Sequence, residues 1–148
     1  MLLANDLLIR TQGAIHVIDE RNCIDLLKSV GVGRIGITLD ALPIILPVNY
    51  IYMNLGPDLD GCILFRTDPG TKLDAAFRHS VVAFEVDQID YDKEEGWSVL
   101  VIGSAEVVDD SILEDRAMTS GLHPWSGGMK THMVAITPKI VSGRRITH

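Results

Sequence analysis

The chain has 148 residues, 47% of them apolar and 22% charged, which is enough for one domain with a buried core. Its net charge of −7 disfavours nucleic-acid binding, because that binding depends on cationic side chains that neutralise phosphates. No apolar run approaches the length of a membrane-spanning helix. The composition therefore predicts a single domain over residues 1–148 that binds neither nucleic acid nor membranes.

The cysteine content indicates a reducing compartment. Cys23 and Cys62 are the only cysteines, and neither stands in a C-x-x-C motif, so a reduced, cytoplasmic protein is expected. Residues 1–18 lack the basic start and the long apolar stretch of a signal peptide. We interpret them as an N-terminal arm with a strand near 14–18.

The first half of the chain predicts one helix followed by strands. A helix is expected over residues 20–30, because Asp19 can cap it and apolar residues recur on one face. β-Branched and aromatic residues then predict strands at 33–39, 44–53 and 62–67, separated by turn signals at 40–43 and 56–61.

The second half predicts further strands with peripheral helices. A short helix at 72–78 leads to strands at 80–89 and 96–108. Asp109 or Asp110 can cap a helix that ends near 118–120, a loop covers 121–130, and 131–146 form one or two strands with a bend at Pro138. Short strands joined by turns predict a mainly β fold, an antiparallel sheet that closes into a barrel. A parallel doubly wound sheet would need helices between most strands.

The segment 65–72 carries the most informative functional pattern. It joins an apolar strand, an Asp-Pro-Gly turn and the start of a short helix. Two cations, Arg66 and Lys72, and two hydroxyl side chains, Thr67 and Thr71, are gathered there. Free backbone N–H groups at a helix start, together with Arg and Lys, favour a phosphate. The alternative is a pair of solvated cations at an ordinary loop.

Other motifs are less specific. Residues 31–36 match G-x-G-x-x-G, but they follow a helix and open a strand, so a helix stop and close strand packing are expected instead of dinucleotide binding. The five histidines have no metal-ligand spacing, so no metal site is predicted. Glu85 and Asp87 share one strand face and are interpreted as a polar outer face or as partners for Arg66 or Lys72, with catalytic carboxylates as the alternative.

Three features could border a ligand or belong to the scaffold. Pro47 lies inside a predicted strand, so it must stand at an edge, a bulge or a strand start, where distortion could free backbone groups for a flat polar ligand. Trp97 and Trp125 suit a lid or an interface, or else the core. Arg144 could reach a ligand phosphate or carboxylate, or it lies at a solvated end.

Six segments in order resemble a known family, the flavin-binding split-barrel proteins similar to pyridoxamine 5′-phosphate oxidase. The resemblance covers residues 20–146 and is strongest to a small bacterial branch of unknown substrate. The segments are 33–36 (GRIG), 47–50 (PVNY), 65–72 (FRTDPGTK), 83–87 (AFEVD), 96–106 (GWSVLVIGSAE) and 142–146 (SGRRI).

The resemblance implies a six-stranded antiparallel split β-barrel that forms a homodimer and binds FMN in grooves at the interface. Arg66 and Lys72 match the positions that hold the FMN phosphate, with Thr67 and Thr71 beside them. The other matching positions lie along or near the flavin ring: Pro47, Val48, Asn49, Tyr50, Trp97, Ser98, Trp125 and Arg144. Trp97 and Ser98 often come from the second subunit in this family.

The expected function is that of an FMN-dependent oxidoreductase acting on a small molecule, with no catalytic side chain assigned. The sequence lacks the long C-terminal segment that recognises pyridoxamine phosphate in the true oxidase, so another substrate is expected. The alternatives are a flavin-binding module without turnover, or a split barrel that binds deazaflavin or haem. The charge of −7 disfavours deazaflavin, because its longer anionic tail calls for extra cations.

Overall fold

The structure is a computed structural model that describes residues 13–57, 60–122 and 132–148. In these ranges the chain forms eight strands and three helices. In chain order they are β1 (Ala14–Ile18), α1 (Glu20–Ser29), β2 (Val32–Leu39), β3 (Leu42–Asn49), β4 (Ile51–Asn54), β5 (Gly61–Thr67), α2 (Lys72–Ala76), β6 (Ser80–Asp90), β7 (Glu95–Val108), α3 (Ser111–Thr119) and β8 (His132–Thr147).

The described strands form an antiparallel sheet whose two ends are joined by a single residue. The hydrogen-bonded order is β3-β2-β6-β7-β8-β5-β4, and β1 pairs with β8 outside this path. β3 and β4 stand at opposite ends of the order, yet only Tyr50 separates them in the chain. The sheet is therefore bent round until its ends meet, as in a barrel.

Tyr50 anchors this closure from the inside. Only 3% of the residue is exposed, and its ring meets Phe84 edge-on with 4.7 Å between centroids. Its hydroxyl donates to the carbonyl oxygen of Leu27 in α1 at 2.6 Å, and its N–H donates to the carbonyl oxygen of Gly31 at 2.9 Å. Burial raises the pKa of the Tyr50 hydroxyl, so the group stays protonated and can donate.

Two apolar clusters lie on opposite faces of β5. Ile63 and Phe65 belong to the barrel interior, whereas Cys62 and Leu64 pack on the other face with Met133. Burial on both faces explains why β5 is a continuous apolar run in the sequence. The two cysteines are free and buried.

The strand boundaries around β3 differ from the prediction. Residues 44–53 are predicted as one strand, but β3 already begins at Leu42 and ends at Asn49, and β4 is separate. The preceding turn shrinks to Asp40 and Ala41, whose φ angles of 49° and 64° are typical of a two-residue hairpin. Eight strands stand where a six-stranded barrel is expected, because the break at Tyr50 divides one predicted strand in two and the predicted arm strand, β1, joins the sheet beside β8.

The helix caps and the bend in β8 agree with the sequence. Asp19 accepts from the N–H of Asn22 at 2.8 Å at the start of α1. Asp110, not Asp109, caps α3 through two backbone N–H groups at 3.0 and 3.1 Å. β8 is one long strand whose register on β7 shifts beside Pro138, as a β-bulge does. None of the helices in the described ranges is long and apolar enough to cross a bilayer.

Candidate functional site

The residues predicted to bind phosphate lie where β5 ends and α2 begins. Arg66 and Thr67 are the last two residues of β5, Thr71 caps α2, and Lys72 is its first residue. The Lys72 side chain is 81% exposed, and its Nζ lies 3.8 Å from Oδ2 of Asp40 in the β2–β3 turn. Thr67 is only 8% exposed. The loop therefore presents Lys72 to solvent, while Thr67 is largely covered.

The backbone donors of this loop are partly engaged already, which corrects the expectation of a free helix start. Thr71 Oγ1 accepts from the N–H of Asp74 at 3.0 Å and donates to the carbonyl oxygen of Asp68 at 3.1 Å. The N–H of Gly70 donates to Asp74 Oδ2 at 3.2 Å. Because α2 is also only five residues long, phosphate affinity must come mainly from the cationic side chains.

A buried carboxylate under the loop escaped the sequence analysis. Asp74 is 3% exposed, and its Oδ1 lies 2.9 Å from Nδ1 of His132, the first residue of β8. Burial raises the pKa of Asp74, but hydrogen bonds from His132 and Gly70 and the charges of His132 and Arg78 outweigh it. The net pKa is below its ordinary value, so Asp74 is ionised. The sequence feature that could have identified Asp74 is its T-x-x-D spacing with Thr71, a variant of the helix capping box.

A second group of predicted residues lines a groove of about 560 Å³. Trp97 and Ser98 of β7 line it together with Arg144 of β8, because Ser98 lies directly opposite Arg144 in the register. Trp97 also packs against the barrel core, so it serves the core and the groove at once. Exposed apolar side chains, among them Ile89 and Tyr91, complete one wall.

The third group runs along β3 to the barrel closure. Pro47 is exposed on the strand at one end of the sheet order, which confirms an edge position. Val48 and Asn49 are half-buried, whereas Tyr50 is buried in the closure and offers little surface to a ligand. β4, which follows Tyr50, pairs with β5, so this group adjoins the strand that carries Arg66.

The groove and the phosphate loop lie at opposite ends of β8. Arg66 is opposite Met133 in the register, and Ser98 is opposite Arg144. The two β8 positions are eleven residues apart, so the path along the strand is about 36 Å at a rise of roughly 3.3 Å per residue. Because β8 bends round the barrel and carries a bulge, this path is an upper bound on the distance between the two groups. The loop and the groove are therefore separate surfaces of one subunit.

The acidic pair on β6 has a different partner from those expected. Arg34 Nη1 on β2 lies 3.1 Å from Glu85 Oε2 and 3.6 Å from Asp87 Oδ1. Burial and the neighbouring Asp87 raise the pKa of Glu85, while Arg34 opposes the shift. The pair thus belongs to the polar part of the outer sheet face and pairs with neither Arg66 nor Lys72.

Trp125, predicted to lie near the flavin, is outside the described residues. Within residues 13–57, 60–122 and 132–148, no three His, Cys, Asp or Glu side chains are grouped so that they could hold a metal ion.

Comparison with known proteins places these features in a family. Residues 19–145 match the sequence model of a family described as pyridoxamine 5′-phosphate oxidase. The uncharacterized protein Rv0080 of Mycobacterium tuberculosis is 39% identical over 134 residues, which are 87% of this chain and 84% of that protein.

Similar solved structures support the same family assignment. The FAD binding protein from Mycobacterium smegmatis is 38% identical, with a TM-score of 0.72 over 89% of this chain and 98% of its own. A conserved protein of unknown function from Corynebacterium diphtheriae is 33% identical, with a TM-score of 0.70 over 88% and 96% of the two chains. The expected split-barrel class is confirmed.

Proposed function

We propose that this chain, which belongs to the pyridoxamine 5′-phosphate oxidase family, binds a flavin nucleotide and uses it as a redox cofactor. The observation that carries the proposal is the position of Arg66 at the end of β5 and of Thr71 and Lys72 at the start of α2, in a chain matched by that family over residues 19–145. A bound flavin would supply hydride transfer, so the protein needs only to bind and orient it.

The phosphate end of the flavin fits the β5–α2 loop. Arg66 offers a planar guanidinium and Lys72 a mobile ammonium group, a combination suited to phosphate oxygens. Lys72 contacts only an exposed carboxylate, Asp40 at 3.8 Å, among the ion pairs of the described residues, and such exposed pairs are weak. A phosphate can therefore replace Asp40 as the partner of Lys72 with little loss of free energy.

The ring end fits the groove lined by Trp97. An indole and exposed aliphatic side chains provide a flat apolar surface for a tricyclic ring, while Ser98 and Arg144 offer polar groups at its edge. Because this groove and the loop lie at opposite ends of β8, we infer that the groove of one subunit serves the loop of another.

We infer a homodimer with shared cofactor sites from an apolar surface on the outer sheet face. The outer sheet face carries an apolar row across five strands, in which directly paired residues point the same way. The row is Ile45, Gly36, Ala83, Ile102 and Ile140. Ile45 is 72% and Ile140 is 60% exposed in the single chain. Such a patch suits a two-fold interface, in which the same surface meets itself.

FMN, which the sequence resemblance implies, and FAD are the two candidates for the cofactor. The relative from Mycobacterium smegmatis is described as an FAD binding protein, which favours FAD here at 38% identity. Mass spectrometry of the flavin released by heat from purified protein separates the two. A deazaflavin or haem in that extract would contradict both candidates.

Replacing Arg66 tests the phosphate site. In Arg66→Ala we expect FMN affinity to fall by more than about tenfold, because a charge-assisted hydrogen bond to phosphate is lost. Flavin fluorescence titration measures the dissociation constant. Arg116→Ala is the matched control, since Arg116 is exposed on α3 and donates to the carbonyl oxygen of Asn54. Equal FMN affinity in Arg66→Ala and the wild type would refute the assignment.

Turnover separates an oxidoreductase from a flavin-binding module. Bound flavin is mixed with NADH or NADPH without oxygen, and its visible absorbance is followed before and after a small electron acceptor is added. Bleaching and recovery at catalytic rates support the enzyme. Flavin that is bound but stays oxidised favours the module.

A further inference from the structure

We propose that Asp74 is a positioning residue for the phosphate end of the flavin, because its carboxylate sets the placement of Lys72 relative to Arg66. This inference rests on the proposed function and adds a residue to its site. Asp74 itself is 3% exposed, so it acts through the groups it holds and does not touch the phosphate.

Asp74 forms a clamp around Lys72. The N–H of Gly70 donates to Asp74 Oδ2 at 3.2 Å, and the N–H of Asp74 donates to Thr71 Oγ1 at 3.0 Å. Lys72 lies between the two ends of this clamp. The backbone that carries its side chain is thus held on both sides by the same residue.

A second contact of Asp74 is a link to the strand that carries Arg66. Asp74 Oδ1 accepts from His132 Nδ1 at 2.9 Å. His132 lies opposite Thr67 in the pairing of β8 with β5, directly beside Arg66. The Asp74 carboxylate therefore connects the start of α2 to the paired ends of β5 and β8. The distance between the Arg66 and Lys72 side chains depends on this connection.

The carboxylate of Asp74 is ionised. An ionised carboxylate only accepts hydrogen bonds, so His132 Nδ1 carries the proton in this pair. Arg78 Nη2 lies 3.7 Å from Oδ2 and adds a favourable charge. An asparagine at this position has nearly the same size but accepts on one side only. Its amino group must then face the N–H of Gly70, which opens that link, or face His132, whose Nδ1 can accept from it only when the ring proton is on Nε2. In either case the attraction between the carboxylate and Arg78 is lost.

The test compares FMN with riboflavin, which lacks the phosphate. For Asp74→Asn we expect FMN binding to weaken about tenfold, while riboflavin binding stays as in the wild type. Fluorescence titration gives both dissociation constants. Asp110→Asn is the control, because it changes the same side chain at the cap of α3, away from the loop. Hydrogen exchange at residues 68–73 should quicken in Asp74→Asn alone.

A second pair of variants covers the case in which Asp74→Asn fails to fold. His132→Ala removes the donor to Asp74, whereas the amide of His132→Asn can replace Nδ1–H. We expect the alanine variant to lose FMN affinity selectively and the asparagine variant to recover part of it.

Two results would overturn the inference: one is measured in the variants and the other in the wild type. Equal losses for FMN and riboflavin, or no loss, in folded Asp74→Asn and His132→Ala refute the positioning role alone. A wild type that does not prefer FMN to riboflavin refutes the phosphate site itself, and the positioning role with it.

Discussion

Asp74 has the environment in which a single residue makes stability depend on pH. Its pKa in the folded chain is below the ordinary value of 3.8, so the unfolded state binds its proton more readily. The stabilisation is complete above pH 3.8 and is lost as the pH falls through the lower, folded pKa.

Asp74→Asn should therefore lower the free energy of unfolding by about 2 kcal/mol at neutral pH, since a buried charged hydrogen-bond acceptor is lost. The difference from the wild type should shrink as the pH falls below 3.8. Urea unfolding between pH 7 and pH 3 measures it. A difference that stays constant over this range would contradict an ionised Asp74.

The residues singled out from the sequence show what local patterns reveal. Arg66, Thr71 and Lys72 were found because a turn and a helix start place them together within seven positions. His132 is 58 positions from Asp74 in the chain, so no spacing rule connects them. The T-x-x-D spacing of Thr71 and Asp74 is a helix-cap pattern that could have pointed to Asp74. No pattern in the sequence points to its partner, His132.

At the scale of elements, turn and cap chemistry predicts most boundaries, and tertiary constraints decide the rest. Asp19 and Asp110 cap helices as their side chains suggest. Residues 44–53 look like one strand because Tyr50 is itself a strand-favouring residue. The Tyr50 hydroxyl donates a hydrogen bond to the carbonyl oxygen of Leu27 in α1. This contact divides the predicted strand into β3 and β4 at the point where the barrel closes.

The bulge between β7 and β8 gives a prediction at this scale. A Cβ on Gly103 would overlap the carbonyl oxygen of Thr137, a backbone atom that cannot easily move. We expect Gly103→Ala to destabilise the fold by about 2 kcal/mol through overpacking.

Gly31→Ala is the control for this variant, because a Cβ on Gly31 would meet nothing within 4 Å and Gly31 lies outside the apolar row of the proposed interface. The free energy of unfolding from chemical denaturation compares the two. A Gly103→Ala variant as stable as Gly31→Ala would show that β8 shifts freely at the bulge.

At the scale of the whole molecule, the apolar row on the outer sheet face predicts the oligomeric state. Ile45→Glu places a charge in the proposed interface and should convert dimers into monomers, because burying an unpaired carboxylate is costly. Ile112→Glu is matched in exposure at 72%, but it lies on α3 outside the row. Light scattering after size-exclusion chromatography gives the mass of each variant.

A shared cofactor site adds a second readout. If the groove of one subunit serves the loop of another, Ile45→Glu should lose FMN together with the dimer, whereas Ile112→Glu keeps both. A monomeric Ile45→Glu variant that still binds FMN as the wild type does would mean that each subunit holds its own complete site.

The sequence by itself determined the β class, the Asp19 cap of α1 and the turn-to-helix loop that carries Arg66 and Lys72. These features depend on side-chain periodicity and turn chemistry over a few residues, which a linear pattern records. Only the tertiary structure decided the closure at Tyr50, the pairing of Asp74 with His132 and of Arg34 with Glu85, and the separation of loop and groove along β8. Each of these depends on strand order and register, which bring together residues far apart in the chain.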